Sequence, residues 1–469
     1  MARPLVSASN QDTIAARATA PGEGAIAVVR LSGPRARAIG ARLFRPASAA
    51  QGLDRVAARQ AVFGELILPG ERAELLDQAV ATVWHGPHSY TGEDVVEFSI
   101  HGARVIVERL IGACVAEGAR LAAPGEFTRR AFENGKLDLA QAEAVCDLIR
   151  SQTEAAGRAA LAQLSGGLSR RLEGARQSLV PVVAELEAHV DFPDEGLEIA
   201  TRERLSAAVE KAAGEIETLL ESAGRGMALR DGARVVLAGR PNAGKSSLFN
   251  LLLRRERAIV SPHAGTTRDT VEAQVDLGGV AVTLVDTAGL REGAGEIEAI
   301  GIARTREELA SADLVLFLAD CTEVLGATRR EYDLTRAIPH IVVANKADAG
   351  DALALESELK LPARRAFVAL SVATRAGFED LEAALIREVA HAASGEQGAL
   401  VTNRRHVRAL ETALEALRGS LEGLASDLSA EFVVVDLTEA IAQLDAITGR
   451  QGLDEDVLDQ IFSTFCLGK

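Results

Sequence analysis

Gly239-Arg240-Pro241-Asn242-Ala243-Gly244-Lys245-Ser246 is the stretch on which the reading of this chain turns. It follows a strand-like run, Ala233-Arg234-Val235-Val236-Leu237, and precedes a helical pattern. Glycines in such a loop let backbone N–H groups close around phosphate oxygens, and the next helix contributes the positive end of its dipole. Lys245 is placed to reach β- and γ-phosphates, and the Ser246 hydroxyl to bind Mg²⁺. A glycine-rich turn without function would look similar, so the flanking sequence has to decide.

Three further signals follow in order. Asp286-Thr287-Ala288-Gly289 comes after the apolar run Val282-Thr283-Leu284-Val285, setting a carboxylate at a strand end for Mg²⁺ and a flexible glycine near the γ-phosphate. Asn345-Lys346-Ala347-Asp348 comes after Ile341-Val342-Val343-Ala344. The Asp348 carboxylate can accept two hydrogen bonds, from guanine N1–H and the exocyclic amine, a pairing that adenine does not offer. Ser371-Val372-Ala373 occupies the place of the last base-contacting loop. Between Lys245 and Asp286, Gly265-Thr266-Thr267-Arg268-Asp269 supplies Thr267 as a second Mg²⁺ hydroxyl, in a loop that a γ-phosphate would order. The set specifies GTP rather than ATP, with Asn242, Ala243, Gly244, Lys245, Ser246 and Ser247 around the phosphates.

The strands between these loops, including Leu314-Val315-Leu316-Phe317-Leu318, are continuously apolar, as in a parallel sheet covered on both faces. Outward from this α/β unit the pattern changes. Residues 126–223 are rich in Ala, Leu and Glu at helical spacing, interrupted by Phe192-Pro193-Asp194, and the helical pattern resumes after Asn403. Residues 10–120 alternate strand-like runs (24–31 and 94–100) with helical ones (105–111), an α+β pattern. The expected fold is therefore an N-terminal α+β domain (1–125), a split all-α helical domain (126–228 and 392–469), and an inserted Ras-like P-loop G domain (229–391).

Composition bounds the function. The 469 residues carry a net charge of −16, which opposes indiscriminate binding to nucleic-acid phosphates, so an RNA would need a local basic patch or a second protein. Four scattered cysteines without CxxC pairing suit a reducing compartment rather than a zinc cluster or disulfide framework. No apolar run approaches the roughly 20 residues that cross a bilayer, and the first residues lack a signal-peptide core. A cytoplasmic protein without a membrane partner is expected.

Ras-type GTPases orient the attacking water with a Gln after the Asp-x-x-Gly run. Leu290 stands there instead, and spacing leaves Arg291, Glu292, Glu296 and Glu298 open as the polar group that does this work.

The P-loop, the 265–269 loop and Asp286-Thr287-Ala288-Gly289-Leu290-Arg291-Glu292 closely resemble the bacterial and organellar tRNA modification GTPase family, MnmE or TrmE. So do Asp12-Thr13-Ile14-Ala15-Ala16, Ser89-Tyr90-Thr91-Gly92-Glu93-Asp94, Pro124-Gly125-Glu126-Phe127-Thr128-Arg129-Arg130, Asn134-Gly135-Lys136, Asp191-Phe192-Pro193-Asp194-Glu195 and the closing Cys466-Leu467-Gly468-Lys469. The resemblance spans the chain nearly end to end.

It implies a homodimer whose G domains meet across a bound K⁺, a charge that stabilises the transition state. Asn242 matches the P-loop K⁺ ligand. Ser261, Pro262, His263, Ala264, Gly265 and Thr266 match the loop around the ion, with Ser261, His263 and Thr266 joining the ligand set. Ser261 stands where many relatives carry Thr, keeping a hydroxyl, and Ser371-Val372-Ala373 departs from the usual Ser-Ala-Arg run. Glu298 matches the catalytic glutamate.

The resemblance also implies a 5-formyltetrahydrofolate-type folate as one-carbon donor, near Arg30, Glu97, Lys136 and Lys469. It implies work with the flavin-dependent partner MnmG on the wobble uridine of tRNA, installing an aminomethyl or carboxymethylaminomethyl group at C5. Cys466, with Lys469 nearby, is a candidate nucleophile, whereas Cys114 and Cys146 fall in apolar helical patterns and read as packing. A ribosome-assembly or RNA-binding switch GTPase would share the G domain but should carry a basic RNA module. A self-assembling GTPase of the dynamin type should carry a membrane-binding element. Folate binding and a tRNA modification defect on deletion separate the first reading from both.

Overall fold

The computed structural model describes residues 12–47, 52–70, 73–191, 201–255, 257–258, 271–286, 308–323, 328–329, 332–333, 335, 338–359, 366–391, 401–426, 429–450 and 455–469. The chain divides into two compact units, one of residues 1–146 with 445–469 and the other of residues 147–444.

The first unit is built on a seven-stranded sheet of β1 (Ile14–Arg17), β2 (Gly24–Ser32), β3 (Phe44–Pro46), β4 (Ala61–Leu68), β5 (Glu74–Trp84), β6 (Val95–Gly102) and β7 (Arg120–Leu121), in the order β3-β4-β5-β6-β2-β1-β7. All neighbours are antiparallel except β1 and β7. Alternate residues of β2 (Ala27, Val29, Leu31) and β6 (Val96, Phe98, Ile100) point into one core with helices Ala36–Leu43 and Arg104–Ala116. That period of two is what a sheet covered on one face requires. Cys114 belongs to this core, where burial pushes its thiol up to about 12; it is inert packing.

Several of the quoted signatures meet in one ion cluster around a buried arginine. Arg130 is 2% exposed and donates to the Asp12 carboxylate (2.6 Å) and carbonyl (3.0 Å), to Glu93 (3.2 Å) and to Glu126 (3.0 Å). Arg120 closes the set with bonds to Asp12 (2.8 Å) and Glu126 (2.6 Å). Burial alone would raise the Glu126 carboxyl, but hydrogen bonds from Arg120, the Ala123 amide and Arg130 outweigh it and lower it. Asp12 is likewise lowered: its burial is outweighed by bonds from Arg120 and Arg130.

Both carboxyls sit lower in the folded state than in the unfolded chain. Their contribution is therefore present above about pH 4 and is lost as pH falls through their folded values. Arg130→Gln leaves the half-buried Glu93 carboxylate without its cation and Asp12 and Glu126 with Arg120 alone, and is expected to cost about 3–5 kcal/mol at neutral pH. It should also flatten the fall of Tm below about pH 4, read by thermal melts from pH 7 to pH 3.

The second unit holds β8 (Ala233–Gly239), β9 (Arg257–Ala258), β10 (Val271–Leu277), β11 (Val280–Asp286), β12 (Leu314–Asp320), β13 (His340–Asn345) and β14 (Phe367–Leu370). Their order is β14-β13-β12-β8-β11-β10-β9, parallel from β14 through β11, with β10 and β9 antiparallel. This is the Ras-like arrangement. Every residue of β12 and β13 is buried, because helices lie on both faces. Helices Lys245–Arg255 and Phe378–His391 pack on one side with Leu237, Leu284, Leu316 and Val343. Helix Ala352–Leu359 packs on the other with Val285, Phe317 and Val342.

Helices Gly167–Asp191 and Arg404–Ala425 pack along the long helix Arg202–Asp231. The Gly167–Asp191 helix is described to its last residue, and the expected break at Phe192-Pro193-Asp194 lies outside the described residues. Among the described residues no helix is long and apolar enough to cross a membrane.

A small joint ties the helical part to the G-domain hairpin. Thr153 caps helix Glu154–Leu164 by accepting from the Ala156 amide (3.1 Å), and its hydroxyl donates to the Gly279 carbonyl in the β10–β11 turn (2.6 Å). Gly279 has φ +91, and a Cβ there would lie 2.8 Å from the Ala155 Cβ. Thr153→Val keeps the shape and removes both bonds, so a loss of about 1–2 kcal/mol is expected in urea melts.

Candidate functional site: the ends of five parallel strands

The loops that the sequence assigns to nucleotide leave the carboxyl ends of adjacent strands, where open α/β sheets bind ligands. The P-loop follows β8, Asp286 ends β11, Asn345 ends β13 and Ser371 follows β14. Within the P-loop Asn242 (φ +64) and Gly244 (φ +100) are left-handed, following Gly239 at φ +135. A Cβ on Gly244 would stand 2.3 Å from the Asn345 amide nitrogen, so only glycine fits. The Lys245 side chain is folded back, its ammonium donating to the Gly239 and Arg240 carbonyls at 2.8 Å each. Lys245 is 4% exposed, so those carbonyls stand in for the anionic oxygens that such a group seeks. Ser246 and Ser247 open the following helix and are exposed.

Asn345 fastens the loops to one another. Its side-chain amide donates to the Ala243 carbonyl (2.8 Å), and its oxygen accepts from the Val372 amide (3.2 Å). The Ala347 amide bonds the Leu370 carbonyl (3.1 Å). Asn345 and Ser371 are buried, Lys346, Ala347 and Val372 half-buried, and Asp348 and Ala373 exposed. The arrangement therefore presents Asp348 as an acceptor and the helix start with its hydroxyls as an anion and Mg²⁺ seat. The buried carboxylate of Asp286 lies at the end of β11, the next strand to β8. Ser261, Pro262, His263, Ala264, Gly265, Thr266, Thr267, Thr287, Ala288, Gly289 and Glu298 lie outside the described residues, as do Leu290, Arg291, Glu292 and Glu296.

The first unit carries a second cluster. Arg30 on β2 faces Glu97 on β6 across the register, with Nε 2.6 Å from the carboxylate. Its guanidinium lies over the rings of Tyr90 (5.3 Å) and Phe127 (5.5 Å). Arg30 Nη1 is buried and has no hydrogen-bond partner among the described residues. Such an orphaned cationic donor is costly unless a ligand's acceptor completes it. Lys469 is half-buried beside both: burial and the Arg30 charge lower its ammonium, and Glu97 opposes them.

Lys136 is exposed and donates to the Pro87 carbonyl (3.0 Å), on the loop that carries Tyr90. Arg30, Glu97 and Lys469 thus come together, with Lys136 tied to that loop. Two cations, one carboxylate and an aromatic face match the chemistry of a folate, whose glutamate tail is anionic and whose pterin ring donates N–H. Sequence reasoning missed Tyr90 and Phe127; one lies in the loop before β6 and the other on helix Glu126–Glu133, so their approach to Arg30 becomes visible only in the fold.

Cys466 is exposed, and Cys146 is buried. The backbone around Cys466 is fixed by glycines. Gly468 has φ +88, and a Cβ there would lie 1.9 Å from the Arg17 carbonyl; one on Gly125 would lie 2.6 Å from the Phe462 carbonyl.

Comparison with known proteins follows the same division. The family profile described as GTP-binding protein TrmE N-terminus matches residues 13–136, and that described as MnmE helical domain matches residues 139–466. The chain is 45% identical over 461 residues to the tRNA modification GTPase MnmE of Symbiobacterium thermophilum, covering 98% of this chain and 100% of that one. It is 44% identical over 461 residues to the protein of the same name from Chloroflexus aurantiacus, with the same coverage. The Heliobacterium modesticaldum protein of that name is 42% identical over 466 residues, covering 98% and 99%.

Proposed function

Because this chain belongs to the tRNA modification GTPase family MnmE, we propose that it hydrolyses GTP to GDP as the driving step of tRNA wobble-uridine modification. The observation that carries this is the set of strand-end loops bearing Lys245, Ser246, Asp286 and Asn345-Lys346-Ala347-Asp348, cross-braced by Asn345.

In this reading Lys245 leaves its carbonyl partners for the β- and γ-phosphates, and the P-loop amides hold the same oxygens. Ser246 and Thr267 would hold Mg²⁺, which supplies positive charge on the phosphates. Asp348 takes the guanine N1–H and amine. Glu298 orients the attacking water. Asn242, Ser261, His263 and Thr266 would hold K⁺, which adds charge stabilisation where G domains of a homodimer meet. The first sheet supports a dimer too: Phe63 on β4 is exposed and stands opposite Val80 on β5.

Arg30, Glu97 and Lys469, with Lys136 beside them, would hold a 5-formyltetrahydrofolate-type folate, which supplies a one-carbon unit. The orphaned Arg30 Nη1 supports that assignment. Modification of the tRNA proceeds with the flavoprotein MnmG and places an aminomethyl or carboxymethylaminomethyl group on uridine C5, with Cys466 as candidate nucleophile. A cytoplasmic location and the division at residues 125, 228 and 391 belong to the same reading.

The test is a bacterial strain lacking its own tRNA modification GTPase, complemented with this chain. Mass spectrometry of tRNA nucleosides is expected to show the C5 modification restored. Unmodified uridine despite normal expression would contradict the proposal.

A further inference from the structure

One buried charge lies beside the nucleotide loops and has no part in the mechanism described so far. Asp320 ends β12, is 4% exposed, and stands directly opposite Asn345 in the β12–β13 register. Its carboxylate accepts from the Lys346 ammonium at 2.5 Å, from the Thr322 amide at 2.9 Å and from the Thr322 hydroxyl at 2.7 Å. Burial of Asp320 would raise its carboxyl, but the bonds from Lys346 and Thr322 outweigh that and lower it, so it is ionised at neutral pH. The Cys321 amide also bonds the Asn345 carbonyl (3.0 Å), so backbone and side chain grip the base loop together. Three residues on, Glu323 pairs with Arg240 of the P-loop.

Lys346 itself has φ +60, a left-handed backbone that costs a non-glycine residue free energy. Strain of that kind persists where surrounding contacts hold it. Here the holding contacts are the Asp320 carboxylate on one side and the Ala349 and Gly350 amides, which bond the Lys346 carbonyl at 3.0 and 3.1 Å, on the other. Asp348 comes two residues after Lys346, so the direction in which its carboxylate faces depends on that strained residue.

We infer that Asp320 is a positioning residue for guanine selectivity, acting through Lys346 to aim Asp348. The inference rests on the guanine-binding reading of the 345–348 loop. The acidic turn 320–323 then holds both sides of the nucleotide: Asp320 the base loop, Glu323 the P-loop. Without the Asp320 charge the Lys346 side chain is free, and the loop relaxes toward ordinary backbone angles. The contact that suffers most is the one with the exocyclic amine, since it demands a fixed carboxylate.

The test compares binding of fluorescently labelled GDP and IDP, which lacks that amine, to the full chain and to Asp320→Asn, Lys346→Met and the double variant. Asp320→Asn keeps the side-chain shape and an acceptor, and melting temperatures run in parallel report folding. Wild type should prefer GDP. Asp320→Asn should weaken GDP about tenfold and IDP far less, so that the preference collapses. The double variant should be no worse than Lys346→Met alone, because both changes remove one interaction.

An unchanged GDP-to-IDP ratio in Asp320→Asn would overturn the inference, whatever happens to Tm. Additive losses in the double variant would also overturn it, since Asp320 would then act without Lys346. A wild-type chain that bound neither nucleotide would instead sink the guanine-binding reading itself.

Discussion

Lys245→Ala is expected to lower GTP hydrolysis by on the order of 10²–10³-fold, the usual cost of removing one preorganised charge from a developing anion. The structure says why the loss falls on chemistry and not on folding. The Lys245 stem is buried, and its ammonium is held by two carbonyls of its own loop, Gly239 and Arg240, at 2.8 Å. Removing a buried ammonium also removes its desolvation cost, which offsets much of the lost bonding. The loop keeps its shape through Gly239, Asn242 and Gly244 and through the Asn345 brace to Ala243. Tm without nucleotide should thus stay close to wild type, while the rise in Tm that GTP produces disappears. Phosphate release and thermal melts with and without GTP read both quantities. Near-wild-type hydrolysis would remove Lys245 from the machinery.

Gly468→Ala is the complementary experiment, because it should spare hydrolysis and stop modification. A Cβ at residue 468 would sit 1.9 Å from the Arg17 carbonyl and 3.0 Å from the Ala18 Cα, both backbone atoms that have little freedom to give. The φ of +88 adds strain for any side chain. The segment 466–469 therefore has to lift away. Lys469 then leaves Arg30 and Glu97, and Cys466 loses the place that the Gly125 amide gives it by bonding its carbonyl (3.5 Å). Wobble-uridine modification is expected to fall at least about tenfold, with GTP turnover at the wild-type rate. Nucleoside mass spectrometry beside phosphate release separates the two. Unchanged modification would show that the segment's position does not matter.

The architecture was largely legible in the sequence. Continuous apolar runs such as 314–318 and 341–344 became β12 and β13, buried at every position, because helices cover both sheet faces. The helical stretches on either side of the G domain were equally plain, since Ala and Leu at helical spacing have few other uses. The strand β5 was not: Glu74-Leu75-Leu76-Asp77-Gln78-Ala79 is composed of residues that favour helix as readily as strand, and pairing of this stretch to β4, continued by pairing of residues 80–84 to β6, overrides that local preference. The motif residues of the P-loop and of the 345–348 loop could be named from spacing. Their supports could not, because Asp320 and Glu323 sit in a turn that reads as ordinary surface charge until β12 is laid beside β13. The same holds for the orphaned Arg30 nitrogen and for the Arg130 cluster, which joins residue 12, residue 93, residue 120 and the helical pair 126 and 130 from four separate stretches.

The most direct test of the proposed GTPase mechanism is the hydrolysis rate of the purified chain in KCl and in NaCl at matched ionic strength. Strong stimulation by K⁺ alone, lost in Asn242→Ala, is the expected result. Equal rates in the two salts would contradict a K⁺-bridged G-domain pair.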